Sequence, residues 1–256
     1  MSNVRLIISG TYSTGKTTTT TALSLATGIP MVNALSAREI LTDLYPGRRF
    51  QDMDSIELMA LGLKRLEERV REETILYQKG GNFISDGSVL NEWIYGTVRM
   101  KIGINPGASI LHQSAKYLLG LRSRKFFKKY MEAYGQVVNQ HAHRWYTEIV
   151  HLPIEFPMDK DGHRPVSERY RQLSDQDLKN AYTNLGFNVT EISGKQITRI
   201  DEIIKKFELP QILSSQEAIL QAEKVIINNR ETVSKKIIEQ YKEPTLKEKA
   251  SFITKF

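Results

Sequence analysis

The sequence predicts an α/β fold in which helices cover both faces of a parallel β-sheet. Short apolar runs that read as buried strands alternate with longer helical stretches up to about residue 208, and this alternation is typical of a parallel sheet. Of the 256 residues, 40% are hydrophobic and 25% are charged, which indicates a substantial core and argues against disorder. The absence of cysteine excludes disulfides, thiolate metal sites and cysteine nucleophiles.

Five strands are predicted from apolar runs that end near turn-forming residues. They span residues 4–9, 31–33, 82–85, 148–152 and 188–192. The predicted helices span residues 16–26, 37–44, 54–79, 89–100, 109–120, 124–145, 175–185 and 196–207. Because ligands of such sheets bind beyond the carboxyl ends of the strands, the loops at those ends are the informative ones.

Breaks in this pattern divide the chain. Pro210 follows the last predicted helix of the sheet region, so we expect a domain over 1–210 and a C-terminal helical extension over 211–256. Within the domain we expect a helical insertion over 101–147 and a mobile lid over 153–172, where prolines and charges are frequent. The apolar positions of the extension suit packing on the domain or on a second subunit, so a homodimer is one interpretation.

The charge balance and hydropathy indicate the class of partner. Lysine and arginine number 36 against 29 acidic residues, a net charge of +7, which suits an anionic ligand such as a nucleotide or simply a solvated basic surface. No apolar run approaches the roughly 18–20 residues that span a bilayer, and the apolar stretch at the N-terminus is too short for a secretory signal. We therefore expect a cytoplasmic protein with no membrane partner.

The loop after the first strand carries the strongest motif. Residues 10–17, GTYSTGKT, match the pattern G-x-x-x-x-G-K-[ST], with a buried strand before them and a helix after them. Gly10 and Gly15 allow backbone angles and close approaches that a side chain would prevent. The backbone N–H groups can then surround a phosphate at the positive end of the helix dipole. This loop predicts phosphate binding.

The side chains of the same loop extend this prediction to a magnesium–nucleotide complex. Lys16 can bridge the β- and γ-phosphates, Thr17 can hold Mg²⁺, and Thr18 can contact the α-phosphate. The expected cofactors are therefore ATP and Mg²⁺. The residues predicted to bind the nucleotide are Gly10, Ser13, Thr14, Gly15, Lys16, Thr17 and Thr18.

A second motif ends the third predicted strand. The run FISD delivers Asp86 to the sheet edge that also carries Lys16. A carboxylate there can hold Mg²⁺ together with Thr17, or accept a proton from an attacking hydroxyl. The alternative is that Asp86 caps the following helix. If Ser88 is the cap instead, Asp86 is released for chemistry.

The predicted lid carries arginines. Arg164 follows Gly162, and Arg169 and Arg171 lie shortly after. An arginine that closes over a transferred phosphoryl group stabilises its equatorial oxygens. We expect at least one of the three to contact phosphate. The alternative is an ordinary solvated charged loop.

The order of these motifs resembles a known family. Besides the loop at 10–17, the chain contains ARE at 37–39, DGS at 86–88, LP at 152–153, DGHR at 161–164 and VTEISG at 189–194, with Arg199 beyond. Over residues 1–208 the chain is similar to the P-loop ATPase/kinase domains related to bacterial nicotinamide riboside kinase. The resemblance implies a three-layer P-loop NTPase fold with a five-stranded parallel sheet and a lid. It also implies ATP–Mg²⁺ as donor and a small hydroxylated acceptor.

Two positions depart from the family pattern. Relatives often have an acidic residue where this chain has Leu35, and an arginine where it has Gly87. Both positions are on the acceptor side, so the departures affect the identity of the acceptor and leave nucleotide binding intact.

Three functions fit the sequence. The first is a kinase that transfers phosphate from ATP to a small molecule, with Lys16, Asp86, Arg164 and Arg169 as catalytic residues. The second is a nucleotide-dependent ATPase or switch that acts on a protein partner, favoured by the insertion and the extension. The third is a kinase for nucleic-acid 5′ ends, supported only by the basic stretch 116–129. We favour the first, and do not favour nucleic acid as a partner.

Overall fold

A central parallel sheet organises the chain. The computed structural model describes residues 3–48, 53, 55–102, 121–157 and 167–240; the predicted helix at 109–120 and Arg164 lie outside these ranges. The sheet has the order β2-β1-β3-β4, and all three pairings are parallel. Its strands are β1 (Arg5–Ser9), β2 (Phe83–Asp86), β3 (Glu148–His151) and β4 (Val189–Glu191).

The prediction of a fifth strand at 31–33 was wrong, because the described part of the chain forms a sheet of four strands. Met31 makes only an isolated parallel bridge to Ile84 at the edge of β2. The Val32 N–H donates to the Ile84 carbonyl at 2.8 Å, and the Ile84 N–H donates to the Pro30 carbonyl at 3.0 Å. Pro30 has no N–H of its own, and Ser36 already caps the next helix, so the extended run is too short for a ladder.

Eight helices connect and cover the strands in the described ranges. They are α1 (Lys16–Thr27), α2 (Ala37–Leu44), α3 (Ser55–Gly80), α4 (Val89–Ile102), α5 (Leu121–Trp145), α6 (Glu168–Asn184), α7 (Gln196–Lys206) and α8 (Ser215–Gln240). Most match the predicted spans, but α6 begins seven residues before the predicted start at 175. The Ser167 side chain accepts a hydrogen bond from the Tyr170 N–H at 3.2 Å and caps this helix. Residues 168–172, which we placed in the lid, are therefore the first turn of α6.

The sheet separates two apolar cores, which makes the fold three-layered. Side chains alternate along β1, so Ile7 contacts one core while Leu6 and Ile8 contact the other. The first core gathers buried residues of α4, α5 and α6. The second gathers residues of α1, α7 and α8.

The start of the predicted extension belongs to the second core. Ala218 and Ala222 of α8 are fully buried beside Leu23 and Ala26 of α1. The Ile212 N–H also donates to the Ala26 carbonyl at 2.7 Å. The first half of α8 thus packs on the domain itself. No helix in the described ranges combines the length and the apolarity needed to cross a membrane.

Candidate functional site

The loop between β1 and α1 depends on its two glycines. Gly10 has φ 144° and Gly15 has φ 83°, which L-residues with a side chain rarely adopt. A Cβ on Gly10 would lie 2.7 Å from the Leu152 carbonyl oxygen, and a Cβ on Gly15 would lie 2.6 Å from Gln196 Nε2. Both positions therefore require glycine, and α1 begins directly after Gly15 with no side-chain cap.

Two buried arginines contact backbone carbonyls of this loop. Arg171 of α6 donates to the Tyr12 carbonyl at 2.9 Å and to the Ser13 carbonyl at 3.3 Å. Arg199 of α7 donates to the Thr14 carbonyl at 2.7 Å. In a trans peptide the C=O and the following N–H point in opposite directions. The N–H groups of residues 13–15 are consequently directed away from the two guanidinium groups.

The side chains that the sequence assigns to phosphate and metal come together at this loop. The Thr17 hydroxyl donates to Asp86 Oδ2 at 2.6 Å. The Lys16 ammonium donates to the Thr11 carbonyl, and so does the Thr14 hydroxyl, at 3.1 Å. Thr17 is exposed, Lys16 is half-buried and Thr14 is buried. The Thr11 carbonyl therefore holds Thr14 and Lys16 in place, whereas Thr17 is accessible to solvent.

Ser13 and Thr18 complete the set of predicted nucleotide-binding residues. Both are half-buried. Ser13 lies on the loop with φ 56°, and Thr18 lies on the first turn of α1. All of the predicted nucleotide-binding residues therefore lie between the end of β1 and the first turn of α1.

Asp86 is placed by β2 and held there by an arginine that the sequence analysis missed. Asp86 pairs with Ile8 in the parallel register of β1 and β2. Arg69 of α3 donates to the Asp86 carbonyl at 3.0 Å, to the Gly87 carbonyl at 3.2 Å and to the Ser85 hydroxyl at 2.5 Å. No local motif surrounds Arg69, because its partners are more than 15 residues away in the chain.

Ser88, and not Asp86, caps helix α4. The Ser88 hydroxyl accepts from the Leu90 N–H at 3.1 Å, and Asn91 Oδ1 accepts from the Ser88 N–H at 2.7 Å. Gly87, with φ 73°, makes the turn between strand and cap. Because Ser88 is the cap, as one of the two alternatives had it, the Asp86 carboxylate does not cap α4; it accepts a hydrogen bond from the Thr17 hydroxyl.

The lid arginines differ in position. Arg171, one of the three arginines of which at least one was expected to contact phosphate, is 1% exposed. Its guanidinium donates to backbone carbonyls instead. Arg169 is exposed on the first turn of α6. Arg164 lies outside the described residues. Our expectation for phosphate contact from the lid therefore rests on Arg164 and Arg169.

The donor set at the mouth of the loop fits Mg²⁺. This ion prefers oxygen ligands and usually takes one or two from protein, with phosphates and water supplying the rest. Thr17 Oγ1 and Asp86 Oδ2, already in hydrogen-bond contact, supply two such oxygens. Across the described ranges no three acidic or histidine side chains gather to hold an ion by themselves.

An aromatic and ionic cluster lies beside the loop, and the sequence analysis missed it. The ring of Tyr12, within the loop, stacks on Tyr95 of α4 at 4.7 Å, and Tyr170 of α6 lies 6.2 Å from Tyr12. Burial, with the nearby Tyr12, raises the pKa of Tyr95 well above its ordinary value. An ion pair between Arg65 and Glu92 adjoins the cluster. Its members come from four separate segments, so no spacing in the sequence predicts it.

A buried polar network supports the sheet edge behind the loop. His151, at the end of β3, is fully buried. Its Nε2 lies 3.0 Å from Asp175 Oδ1 of α6, and its Nδ1 lies 3.3 Å from the Ser9 hydroxyl. These contacts tie α6 to the strand end from which the loop departs.

Comparisons with known proteins identify a family and a fold for this chain. A family model described as an AAA domain matches residues 5–199. No curated protein sequence matches the chain. The structure of deoxyadenosine kinase from M. mycoides with bound dATP superposes with a TM-score of 0.57 at 16% identity, covering 80% of this chain and 100% of that one. The structure of the same enzyme with products dCMP and a flexible dCDP bound superposes with a TM-score of 0.51 at 14% identity, covering 80% of this chain and 98% of that one.

These findings show the family and the fold. The family model spans about three quarters of the chain, and the likeness to the kinase structures is a likeness of fold. Nothing in it singles out nicotinamide riboside kinase. The chain belongs to the AAA-domain family matched over 5–199, with the P-loop fold of nucleoside and nucleotide kinases.

Proposed function

We propose that this protein is an ATP-dependent phosphotransferase that moves the γ-phosphate to a hydroxyl of a small, nucleoside-like molecule. The observation that carries the proposal is the 2.6 Å contact between Thr17 Oγ1 and Asp86 Oδ2. This contact brings a carboxylate from β2 to the loop after β1, which is proposed to bind phosphate. Binding of phosphate alone needs only the loop, whereas phosphoryl transfer also needs an acid–base group or metal ligand at its mouth.

The donor side follows from the loop. The N–H groups of residues 13–15 and the N-terminus of α1 bind the phosphates, while Lys16 neutralises charge between the β- and γ-phosphates. Thr17 and Asp86 would hold Mg²⁺, which when bound screens phosphate charge and orients the γ-phosphate. Thr18, on the first turn of α1, is proposed to contact the α-phosphate.

On the acceptor side, the other carboxylate oxygen, Asp86 Oδ1, which does not contact Thr17, is proposed to receive the proton of the attacking hydroxyl. The hydroxyl oxygen forms a bond to the γ-phosphorus, the bond from that phosphorus to the β–γ bridging oxygen breaks, and ADP leaves. Arg169 and Arg164 are proposed to stabilise the transferred group. A nucleoside-like acceptor is supported by the fold shared with a deoxyadenosine kinase.

A panel of acceptors tests the proposal. ATP consumption with Mg²⁺ is measured with nucleosides, including nicotinamide riboside and deoxyadenosine, and with nucleotides, sugars, amino alcohols and a 5′-hydroxyl oligonucleotide. We expect turnover that depends on one acceptor class and yields a phosphorylated product. Lys16→Ala and Asp86→Asn should each lose at least 10²-fold in kcat/KM. Lys205→Ala, which removes an exposed cation from α7, is the matched control and should retain activity.

The other outcomes select between the alternatives. Slow hydrolysis that no acceptor accelerates would overturn the proposal in favour of a partner-regulated ATPase. Turnover restricted to the oligonucleotide, with steep salt dependence, would indicate a polynucleotide kinase.

A further inference from the structure

We propose that Arg171 and Arg199 are positioning residues that hold three consecutive loop carbonyls outward and so aim the N–H groups of residues 13–15 at the phosphates. The inference deepens the proposed function and rests on it for the identity of the ligand. The two arginines come from different helices, α6 and α7. They meet on one short segment of backbone, the carbonyls of residues 12–14.

Arg171 contributes most of these contacts. Besides Tyr12 and Ser13, it donates to the Phe156 carbonyl at 2.8 Å. Its guanidinium is therefore occupied by three backbone acceptors while only 1% of the residue is exposed. The Glu168 carboxylate lies 3.5 Å from this guanidinium and is half exposed. A buried cation with such weak compensation is stabilised when a polyanion binds nearby.

Arg199 donates to the third carbonyl, that of Thr14, and neighbouring side chains hold Arg199 in place. It is fully buried and forms an ion pair with Glu155. Its guanidinium carbon lies 5.4 Å from the centre of the Phe156 ring. Glu155 in turn accepts from the Gly194 N–H at 2.9 and 3.0 Å. These contacts fix the orientation of the guanidinium group that donates to the Thr14 carbonyl.

The physical consequence is preorganisation of the anion site. Isolated peptide units in a glycine-containing loop can rotate, and an outward N–H contributes nothing to a bound phosphate. Carbonyls fixed to buried guanidinium groups cannot rotate without breaking charge-assisted hydrogen bonds, so the site incurs no reorganisation cost when phosphate binds. The planar fork of arginine is needed, because Arg171 contacts several carbonyls and Arg199 contacts a carbonyl and the Glu155 carboxylate. A lysine ammonium cannot reproduce either geometry.

Arg171→Lys and Arg199→Lys test the inference, because both keep the positive charge and remove the fork. We expect each to weaken binding of ATP and of inorganic pyrophosphate about tenfold by calorimetry, with the KM for the acceptor changed less than twofold. Amide hydrogen exchange in residues 11–15 of the ligand-free protein should accelerate at least fivefold. Arg171→Ala and Arg199→Ala should weaken binding further. Gln172→Ala and Lys205→Ala, exposed neighbours on the same two helices, should match the wild type.

Three results separate the interpretations. Wild-type affinity and unchanged exchange in both lysine variants would overturn the inference. Reduced thermal stability with unchanged pyrophosphate affinity would also overturn it, because a merely structural arginine behaves in that way. If the wild-type protein bound neither ATP nor pyrophosphate, the proposed function would fail, while the exchange comparison would still decide whether the arginines hold the loop.

Discussion

The hydroxyl of Thr17 and the carboxylate of Asp86 lie 2.6 Å apart although 69 positions separate them in the chain. Thr17 is the second residue of α1, and Asp86 is the last residue of β2. Their contact follows from the parallel pairing of β1 with β2, in which Ile8 lies opposite Asp86. Two segments that each end at the same sheet edge thus assemble one site.

Asp86→Asn should remove the negative charge at this site and keep the size and shape of the side chain. The amide oxygen can still accept from the Thr17 hydroxyl, so we expect an unchanged fold and near wild-type affinity for ATP without Mg²⁺. The loss of the carboxylate should lower kcat by about 10²–10⁴-fold and raise the Mg²⁺ concentration needed for half-maximal rate. Steady-state kinetics across a Mg²⁺ titration measure both effects. An unchanged kcat would contradict a catalytic role for Asp86.

Gly87→Ala should cost more stability than Gly186→Ala. Both glycines have a left-handed backbone, with φ 73° and 83°, so each substitution should cost roughly 1–2 kcal/mol in backbone strain. At Gly87 the added Cβ would also lie 2.9 Å from Asn91 Oδ1, whereas nothing lies within 4 Å at Gly186. Displacement of Asn91 would break its bond to the Ser88 N–H, which should add about 1 kcal/mol. Denaturant unfolding of the two variants measures the difference.

Glu155→Gln should make the stability of the protein less sensitive to pH in the acid range. Burial opposes ionisation of this carboxyl, but hydrogen bonds from Gly194 and Arg199 outweigh it and lower the pKa of Glu155 below its ordinary value of 4.5. A carboxyl with a lowered folded pKa stabilises the protein above its unfolded pKa, and this contribution is lost as the pH falls through the folded value. The wild type should therefore lose more stability than the variant below pH 4.5.

Melting temperatures between pH 3 and 7 check this expectation. Glu202→Gln, at an exposed position on α7, serves as the control and should follow the wild-type curve. Parallel curves for wild type and Glu155→Gln would contradict the contribution assigned to Glu155.

Ala222→Asp should disrupt the packing of α8 on the domain. Ala222 is fully buried against α1, so an aspartate there places an unpaired charge in an apolar contact and should cost at least 3 kcal/mol. Glu223→Asp, at the exposed neighbouring position, should change stability by less than about 0.5 kcal/mol. Thermal unfolding measures both. An Ala222→Asp variant of wild-type stability would show that α8 leaves this surface in solution.

Much of the fold follows from local patterns along the chain. The alternation of apolar strands and helices predicts the layers, and the bounds of α2 and α7 agree with their predicted spans to within a residue. The prediction of a fifth strand was wrong because strand pairing depends on the length of the extended run and on the helix cap that follows it. Met31 has a partner in Ile84, but Pro30 and Ser36 leave no room for a ladder. The early start of α6 depends on the cap at Ser167.

Some features of the candidate site follow from the sequence, and others depend on the tertiary structure. The sequence by itself determined the loop at residues 10–17, the strand that delivers Asp86 and the need for Gly10 and Gly15, because each depends on backbone geometry within a few residues. Only the tertiary structure decided which side chains hold that geometry. Arg171 contacts a carbonyl 159 positions away and Arg199 one 185 positions away. No local pattern encodes such contacts, because they arise only when helices pack around the finished sheet.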